Sequence, residues 1–456
     1  MKARNLMMLL CCMMLVLLAA CGGGGNNNNS SNTGSNAVVD DPNSNEKSEA
    51  PPEDSEATTM DFDMGGRVLK LVSWYDESIK DDNPDNIKKL ENLEALKKKH
   101  NFNIEYVVVD YGELKDKAAA SMIAGEPLGD IIRLARPWMI PSLVKQDLFW
   151  PLDEYVKNDN AFRMVYTQVL SAYEGKGYGM RIGVAGASNG ILYNKTLMNQ
   201  LGIKPLQDYV DAGTWNWDTF VDVAKSANRD TDNDGKLDVW GLATASVAVP
   251  ALASNDADLV HGDKQALDDP KTVETFNFLS RLGTENVARA SEGGDWTEPE
   301  NFFKQGTVLL FPGHDYQVPA MKDAMPDVEV GFLPFPKGPS ADQYHTYLTI
   351  PNYYTIPKAI KNPEQIVYIM EKIQDIESIY EYPRQADLES FFTDPKDIEN
   401  ARMINTNMNL VTKEEYFPTM PYYEMTGELR DGVSVSTVIE KYKANVQAAI
   451  DEVYNK

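Results

Sequence analysis

Cysteine is almost absent. Cys11, Cys12 and Cys21 are the only three in 456 residues, and all lie at the very start of the chain. The body therefore holds no disulfide framework and no thiolate metal site, and its stability must come from the size of its core. Positive charge is also scarce: 43 Lys and Arg stand against 69 Asp and Glu, a net charge of −26. That excludes the clustered basic surface that nucleic-acid phosphates require, so no nucleic-acid partner is expected. It equally disfavours direct docking to an anionic lipid surface. The four histidines, His100, His261, His314 and His345, lack the spacing of a zinc site. There is no P-loop, no Gly-x-Ser-x-Gly elbow and no internal repeat, and no catalytic set stands out.

What is present divides the chain. Hydrophobic residues make up 43% and aromatics 10%, enough to fold, and the length implies two or three cores. Lys2 and Arg4 precede an uncharged apolar run over 6–18. The run is shorter than the roughly 20 residues of a membrane span but suits a secretory signal over 1–20. Leu18-Ala19-Ala20-Cys21 resembles the bacterial lipobox, which implies cleavage before Cys21 and acylation of its thiol; the alternative is an ordinary signal with an incidental cysteine. Residues 21–65, rich in Gly, Asn, Ser, Asp, Glu and Pro, lack apolar surface to offset ordering entropy and are expected to form a disordered tether. The expected location is the outer face of the bacterial cytoplasmic membrane, held through the lipid.

From Val68 the pattern is strand (68–73), helix (84–100), strand (104–109), helix (111–124), strand (130–134), which predicts a parallel sheet covered by helices. Such a sheet binds ligands at the carboxyl ends of its strands, here the loops 73–78, 110–112 and 135–138. Further short strands are expected at 178–182, 190–193, 307–311, 328–333 and 353–356. Helices are expected at 217–226, 270–282 and 435–454, with another starting after Asn362-Pro363.

Several segments then carry a resemblance. They are Gly125-Glu126-Pro127 leading into Asp130–Leu134, and Leu152-Asp153-Glu154-Tyr155. Next come Gly190-Ile191-Leu192-Tyr193-Asn194-Lys195 and Gly213-Thr214-Trp215-Asn216-Trp217-Asp218-Thr219-Phe220. Phe302-Phe303-Lys304-Gln305-Gly306 and Gly331-Phe332-Leu333-Pro334-Phe335-Pro336 complete the set. In order and spacing they resemble the family 1 extracellular solute-binding proteins, the maltose-binding type of receptor for bacterial ABC importers. The resemblance implies a two-lobed α/β fold of the periplasmic-binding-protein type (type II), each lobe a mainly parallel sheet flanked by helices. It implies a first lobe over 66–182 with a return at 306–350, and a second lobe over 183–305 with a return at 351–456. The expected partners are a carbohydrate in the cleft between lobes and the permease subunits of an importer. No enzymatic activity is expected. The rival readings are a membrane-anchored carbohydrate-active enzyme, and a sensory or adhesion module without an importer.

Two constellations could carry the chemistry. Sugars pack their C–H faces on aromatic rings and need polar partners for their hydroxyls. Trp74, Tyr75, Trp138, Trp296, Tyr316 and Tyr353 are the aromatic candidates at loop ends, with Asp110, Asn255, Asp256 and Asp315 as polar ones. Trp217, on a helical face, reads as packing. The second constellation is Asp230-Thr231-Asp232-Asn233-Asp234-Gly235-Lys236-Leu237-Asp238, which matches an EF-hand calcium loop. Asp230, Asp232, Asp234 and Asp238 fall at carboxylate positions and the Lys236 carbonyl at position 7; position 12 is Gly241, so the usual Glu is missing. A structural Ca²⁺ is the expectation, against the alternative of a solvated acidic turn.

Overall fold

Alternation in Arg67–Ser73 (β1) turns Leu69 and Leu71 inward and Val68 and Lys70 outward, until the last three residues are buried together. Helix α1 (Pro84–His100) begins where Asn83 accepts a bond from the Asn86 N–H and ends at Asn101 in the left-handed region (φ 52). Strand β2 (Phe102–Val108), helix α2 (Tyr111–Ile123) and strand β3 (Ile131–Ala135) follow. β1 pairs in parallel with β2 from Arg67↔Phe102 to Ser73↔Val108, and with β3 on its other side. The structure is a computed structural model. It describes residues 60–454 except 158, 163–165, 183–188, 244–246, 286, 291, 294–296 and 349–351. The expected signal, Cys21, the tether up to residue 59 and Trp296 lie outside the described residues.

The second sheet is built from β4 (Asn189–Asn194), β5 (Trp240–Ala243), β6 (Ala288–Arg289), β7 (Val308–His314) and β8 (Val330–Leu333), in the order β6-β5-β7-β4-β8. β4 runs antiparallel to β7 and β8; β5 is parallel to β6 and β7. Helices α3 (Trp217–Ala227) and α4 (Pro270–Thr284) cover it, and Trp215, Phe220, Phe276, Phe278, Phe303, Phe332 and Phe335 fill its core. α3 can lie this close to β5 only because Gly241 has no side chain, since a Cβ there would stand 1.9 Å from the Ala224 carbonyl oxygen.

The chain then crosses back. β9 (Asn352–Thr355) joins the edge of the first sheet antiparallel to β3, setting Tyr353 opposite Leu134 and Tyr354 opposite Arg133. α5 (Pro363–Ile373) shares a core with Leu93 and Leu96 of α1. The rest, α6 (Pro395–Thr406), α7 (Tyr422–Arg430) and α8 (Val435–Tyr454), packs mainly with the second core.

These pairings correct the expected returns. Strands β7 and β8, within 306–350, belong to the second sheet, whereas β9 and α5, within 351–456, belong to the first. The strands were legible from hydrophobic runs, but their partners are set by contacts far apart in sequence, which a local pattern does not contain. The strand expected at 178–182 makes only the single bridge Met180–Tyr354. No helix among the described residues is long and apolar enough to cross a membrane.

Candidate functional site

β1, β2 and β3 are parallel, so their carboxyl ends share one edge. β1 lies between the other two, which makes that edge a topological switch point, where loops leave to opposite sides and open a crevice. The residues that follow the strands meet there. Trp74 follows β1, Tyr111 follows β2, and Trp138 follows β3. Trp74 sits edge-on to Tyr111 (5.4 Å, 82°) and to Trp138 (6.0 Å, 68°), and Tyr111 lies 5.0 Å from Trp138. Tyr111 is 56% exposed and Tyr75 46%, so the shelf presents aromatic surface to solvent.

A polar layer braces it. The Arg133 guanidinium lies 4.6 Å from the Trp74 ring centroid and 4.7 Å from that of Tyr75. It donates to the Glu77 carboxylate and the Tyr75 hydroxyl, and the Tyr354 hydroxyl donates to Glu77 at 2.8 Å. Burial, reinforced by the Glu77 charge, raises the Tyr354 phenol well above its ordinary range, so it remains a donor.

A second aromatic group stands nearby. Tyr423, at the start of α7, is 66% exposed. Partial burial and the Glu414 charge raise its phenol, and Tyr111 of the shelf is close enough to add to that shift. Tyr316 is stacked on His314 (5.0 Å, 13°), and Tyr347 lies edge-on to the same imidazole (6.1 Å, 70°). Burial lowers the His314 pKa to about 4 against the opposing pull of Asp315, so the ring is neutral near pH 7. Arg136, two residues before Trp138, is tied to the 415–416 segment: it donates to the carbonyls of Leu170 and Glu415, both at 3.0 Å, and lies 4.2 Å from the Tyr416 ring centroid.

Of the candidates read from sequence, Trp74, Tyr75 and Trp138 come together in the shelf, and Tyr316 joins the second group. Apart from Trp296, which lies outside the described residues, the others are otherwise engaged. Asp110 caps α2, accepting the Gly112 N–H at 2.9 Å. Asp315 is fully buried with both oxygens on Arg384, at 2.6 and 3.1 Å. Tyr353 is fully buried in the first-sheet core. Asn255 is fully buried, accepting from the Ser340 N–H and donating to the Lys271 carbonyl. Asp256 is held by Asn409 and His345, each at 2.8 Å. Asn255, Asp315 and Tyr353 thus show a ligand no surface in this conformation. Sequence reasoning missed Tyr111, Arg133, Tyr347 and Tyr423. Tyr111 could have been found, since it directly follows a strand in a loop already marked for ligand; the others carry no local signal.

In the acidic loop, carboxylate oxygens of Asp230, Asp232 and Asp238 lie within 4.8 Å of one another. Asp234 is outside that group, its Oδ1 accepting the Lys236 N–H at 2.8 Å. Gly235 takes φ +88, the sharp turn expected of it. This all-oxygen donor set suits a hard cation.

Two concavities lie elsewhere. One, of about 460 Å³, is lined by Trp217, Arg281 and Lys337; the other, of about 210 Å³, lies beside Asp394 and Asp397. Neither offers an aromatic face like the shelf, since Trp217 is buried and stacked on Phe278 (4.4 Å, 9°).

Two α/β sheets with separate cores, and an aromatic shelf at the strand ends of the first, are the build of a two-lobed binding protein. Residues 83–371 match the family model described as bacterial extracellular solute-binding protein, and the chain belongs to that family. A putative binding protein of Brucella abortus is 24% identical over 246 residues, which is 52% of this chain and 56% of that protein; the match spans little more than half of either. Among solved structures, the ABC substrate-binding protein Lmo0181 of Listeria monocytogenes, in complex with cycloalternan, superposes with a TM-score of 0.59 at 17% identity, covering 86% of this chain and 99% of that one. The maltose/maltodextrin-binding domain MalE of Bdellovibrio bacteriovorus, bound to maltotriose, gives 0.56 at 15%, covering 85% and 100%. These likenesses establish the two-lobed fold.

Proposed function

We propose that this protein is an exported, lipid-anchored receptor that captures a carbohydrate in its cleft and delivers it to the permease subunits of an ABC importer. The observation that carries the reading is the shelf of Trp74, Tyr111 and Trp138 at the carboxyl ends of the first-sheet strands. Flat rings with braced donors and acceptors behind them suit the C–H faces and hydroxyls of a sugar. Cycloalternan and maltotriose, bound by two proteins of the same fold, support this ligand class. The mechanism is reversible capture by closure of the lobes, without covalent chemistry. A carbohydrate panel followed by thermal shift and product analysis tests it. Saturable stabilisation by a glycan recovered intact is the expected result; turnover of the glycan would identify an enzyme instead.

Anchoring rests on Cys21. Cys21→Ser is expected to move the protein from the membrane fraction to the medium, and retention in the membrane would refute the lipid anchor.

The Asp230–Asp238 loop would hold Ca²⁺ as a structural ion, through the carboxylates of Asp230, Asp232 and Asp238, which already lie together, joined by the Lys236 carbonyl and by Asp234 once its side chain turns inward. At a hundredfold excess over Kd, Ca²⁺ would add about 2.7 kcal/mol of stability, and Asp230→Asn would abolish the gain. A melting temperature unmoved by Ca²⁺ would count against the site.

A further inference from the structure

The chain passes from the first core to the second between α5 and α6, and that passage has almost no slack. On one side it is fastened to α1. Asn92 donates to the Asp375 carbonyl at 3.0 Å and Lys88 to the Glu377 carbonyl at 2.6 Å. Asp85 accepts the Ser378 hydroxyl at 2.6 Å and the Ile379 N–H at 3.2 Å, and the Tyr380 N–H turns back to Ser378. From the next residue the fastenings are to the second side. The Glu381 N–H donates to Gln385 at 2.8 Å. The Tyr382 ring packs on the second core, with the Arg402 guanidinium of α6 3.8 Å from its centroid. Arg384 follows in left-handed backbone (φ 62), which a residue with a Cβ keeps only where its surroundings fix it.

Arg384 reaches into the turn that carries Tyr316. Its guanidinium grips both oxygens of Asp315, at 2.6 and 3.1 Å, and its Nε lies 3.7 Å from Asp387. Asp315 is fully buried, between the stacked residues His314 and Tyr316, in the single turn after β7. Gln317 closes that turn by accepting the His314 N–H at 2.7 Å. Burial raises the phenol of Tyr347, edge-on to the His314 ring, and Tyr316 and Tyr423 are close enough to add to the rise. A bidentate pair has one good geometry, so the turn cannot change its tilt without moving Arg384.

We propose that Arg384 is a positioning residue, which ties the Tyr316 turn to the passage between the lobes so that the setting of Tyr316 follows the angle at which the lobes stand. The inference rests on the lobe closure proposed above and gives Arg384 no contact with the ligand. Closure swings α1, and Asp85 with it, against the second sheet. With no free loop between the two sets of fastenings, the rotation reaches Asp315 through the arginine.

A double-variant cycle on the full chain, Asp85→Ala with Arg384→Lys, tests this. The two residues hold opposite ends of the passage, so independent losses would multiply. One readout needs no ligand. The chain has four histidines, so the His314 ring gives one of four NMR signals, identified by His314→Gln. The other readout is Kd for the tightest binder in a carbohydrate panel that includes maltotriose and mannotriose. Asp85→Ala is expected to shift the His314 signal and weaken binding about fivefold. Arg384→Lys, which keeps the charge and loses the fork, is expected to weaken it about tenfold. In the double variant, the His314 signal should fall where Arg384→Lys alone puts it, with Kd within about twofold of that variant's. Trp217→Phe, which lowers stability away from the passage, should move neither readout, and so separates positioning from lost stability. A His314 signal that Asp85→Ala leaves in place, or losses that multiply, overturns the inference. A parent chain that binds nothing in the panel overturns the carbohydrate reading instead, and the His314 signal then decides the inference by itself.

Discussion

Replacing Lys195 with methionine is expected to destabilise the body by about 3–5 kcal/mol. Lys195 follows β4 and is buried, with its ammonium 2.7 Å from Asp394, 3.0 Å from Asp397 and 3.3 Å from Glu329. Asp394 and Glu329 are solvated enough to tolerate its loss, but the Asp397 side chain is only 3% exposed. Without Lys195 that carboxylate would be left in the second core with one partner, the Phe332 N–H at 2.9 Å. Burial already pushes the Asp397 pKa up to about 6, against the downward pull of that N–H and of Lys195, with the Asp394 charge adding slightly to the rise. A carboxyl that titrates higher in the folded than in the unfolded chain binds its proton more tightly when folded. Its protonated form favours folding, and that contribution is lost as pH rises from about 4 through 6. Removing Lys195 moves this window further up. Urea unfolding should therefore show the Lys195→Met deficit at its largest above pH 7 and reduced near pH 5, with the double variant Lys195→Met/Asp397→Leu recovering most of it. A deficit equal at both pH values would contradict the account.

Trp138→Ala and Trp74→Ala should each weaken glycan binding by about 2 kcal/mol or more, roughly thirtyfold in Kd. Each ring is half-buried against its neighbours and offers its remaining surface to the crevice. Truncating one removes a stacking face and also unseats the others, since Trp74 touches both Tyr111 and Trp138. The two losses should not add, because the rings form one surface. Calorimetric titration of each variant and of the pair checks this. Trp217→Phe, deep in the second core against Phe278, should leave Kd unchanged while lowering the melting temperature. A shelf variant that binds like the parent would remove the shelf from the site.

The recurring segments that marked the family turn out to be structural, and each has a physical reason. In Tyr193-Asn194-Lys195, Tyr193 lies in the core, Asn194 caps the next helix by accepting the Leu197 N–H, and Lys195 is the buried cation. In the Trp215–Phe220 segment, Trp215 is fully buried with its indole N–H on the Pro334 carbonyl, and Trp217 packs as expected from its helical face. The site was less legible. Trp74, Tyr75 and Trp138 were readable because they directly follow strands whose ends must converge. Asp315 and Asn255 misled because a polar residue in a loop looks the same whether it faces a ligand or locks two segments together.

The amino-acid sequence by itself determined the type and order of the elements, the family, and the three loops at which the first sheet presents its crevice. The elements and loops follow from hydrophobic period, caps and turn residues, and the family from the resemblance of short segments in their order along the chain. Only the tertiary structure decided that β7 and β8 complete the second sheet and β9 the first, that Asp315 is spent on Arg384, and that Tyr423 stands near Tyr111. Each of these is a pairing between residues far apart in the chain, chosen by burial and hydrogen bonding that exist only once both partners have folded.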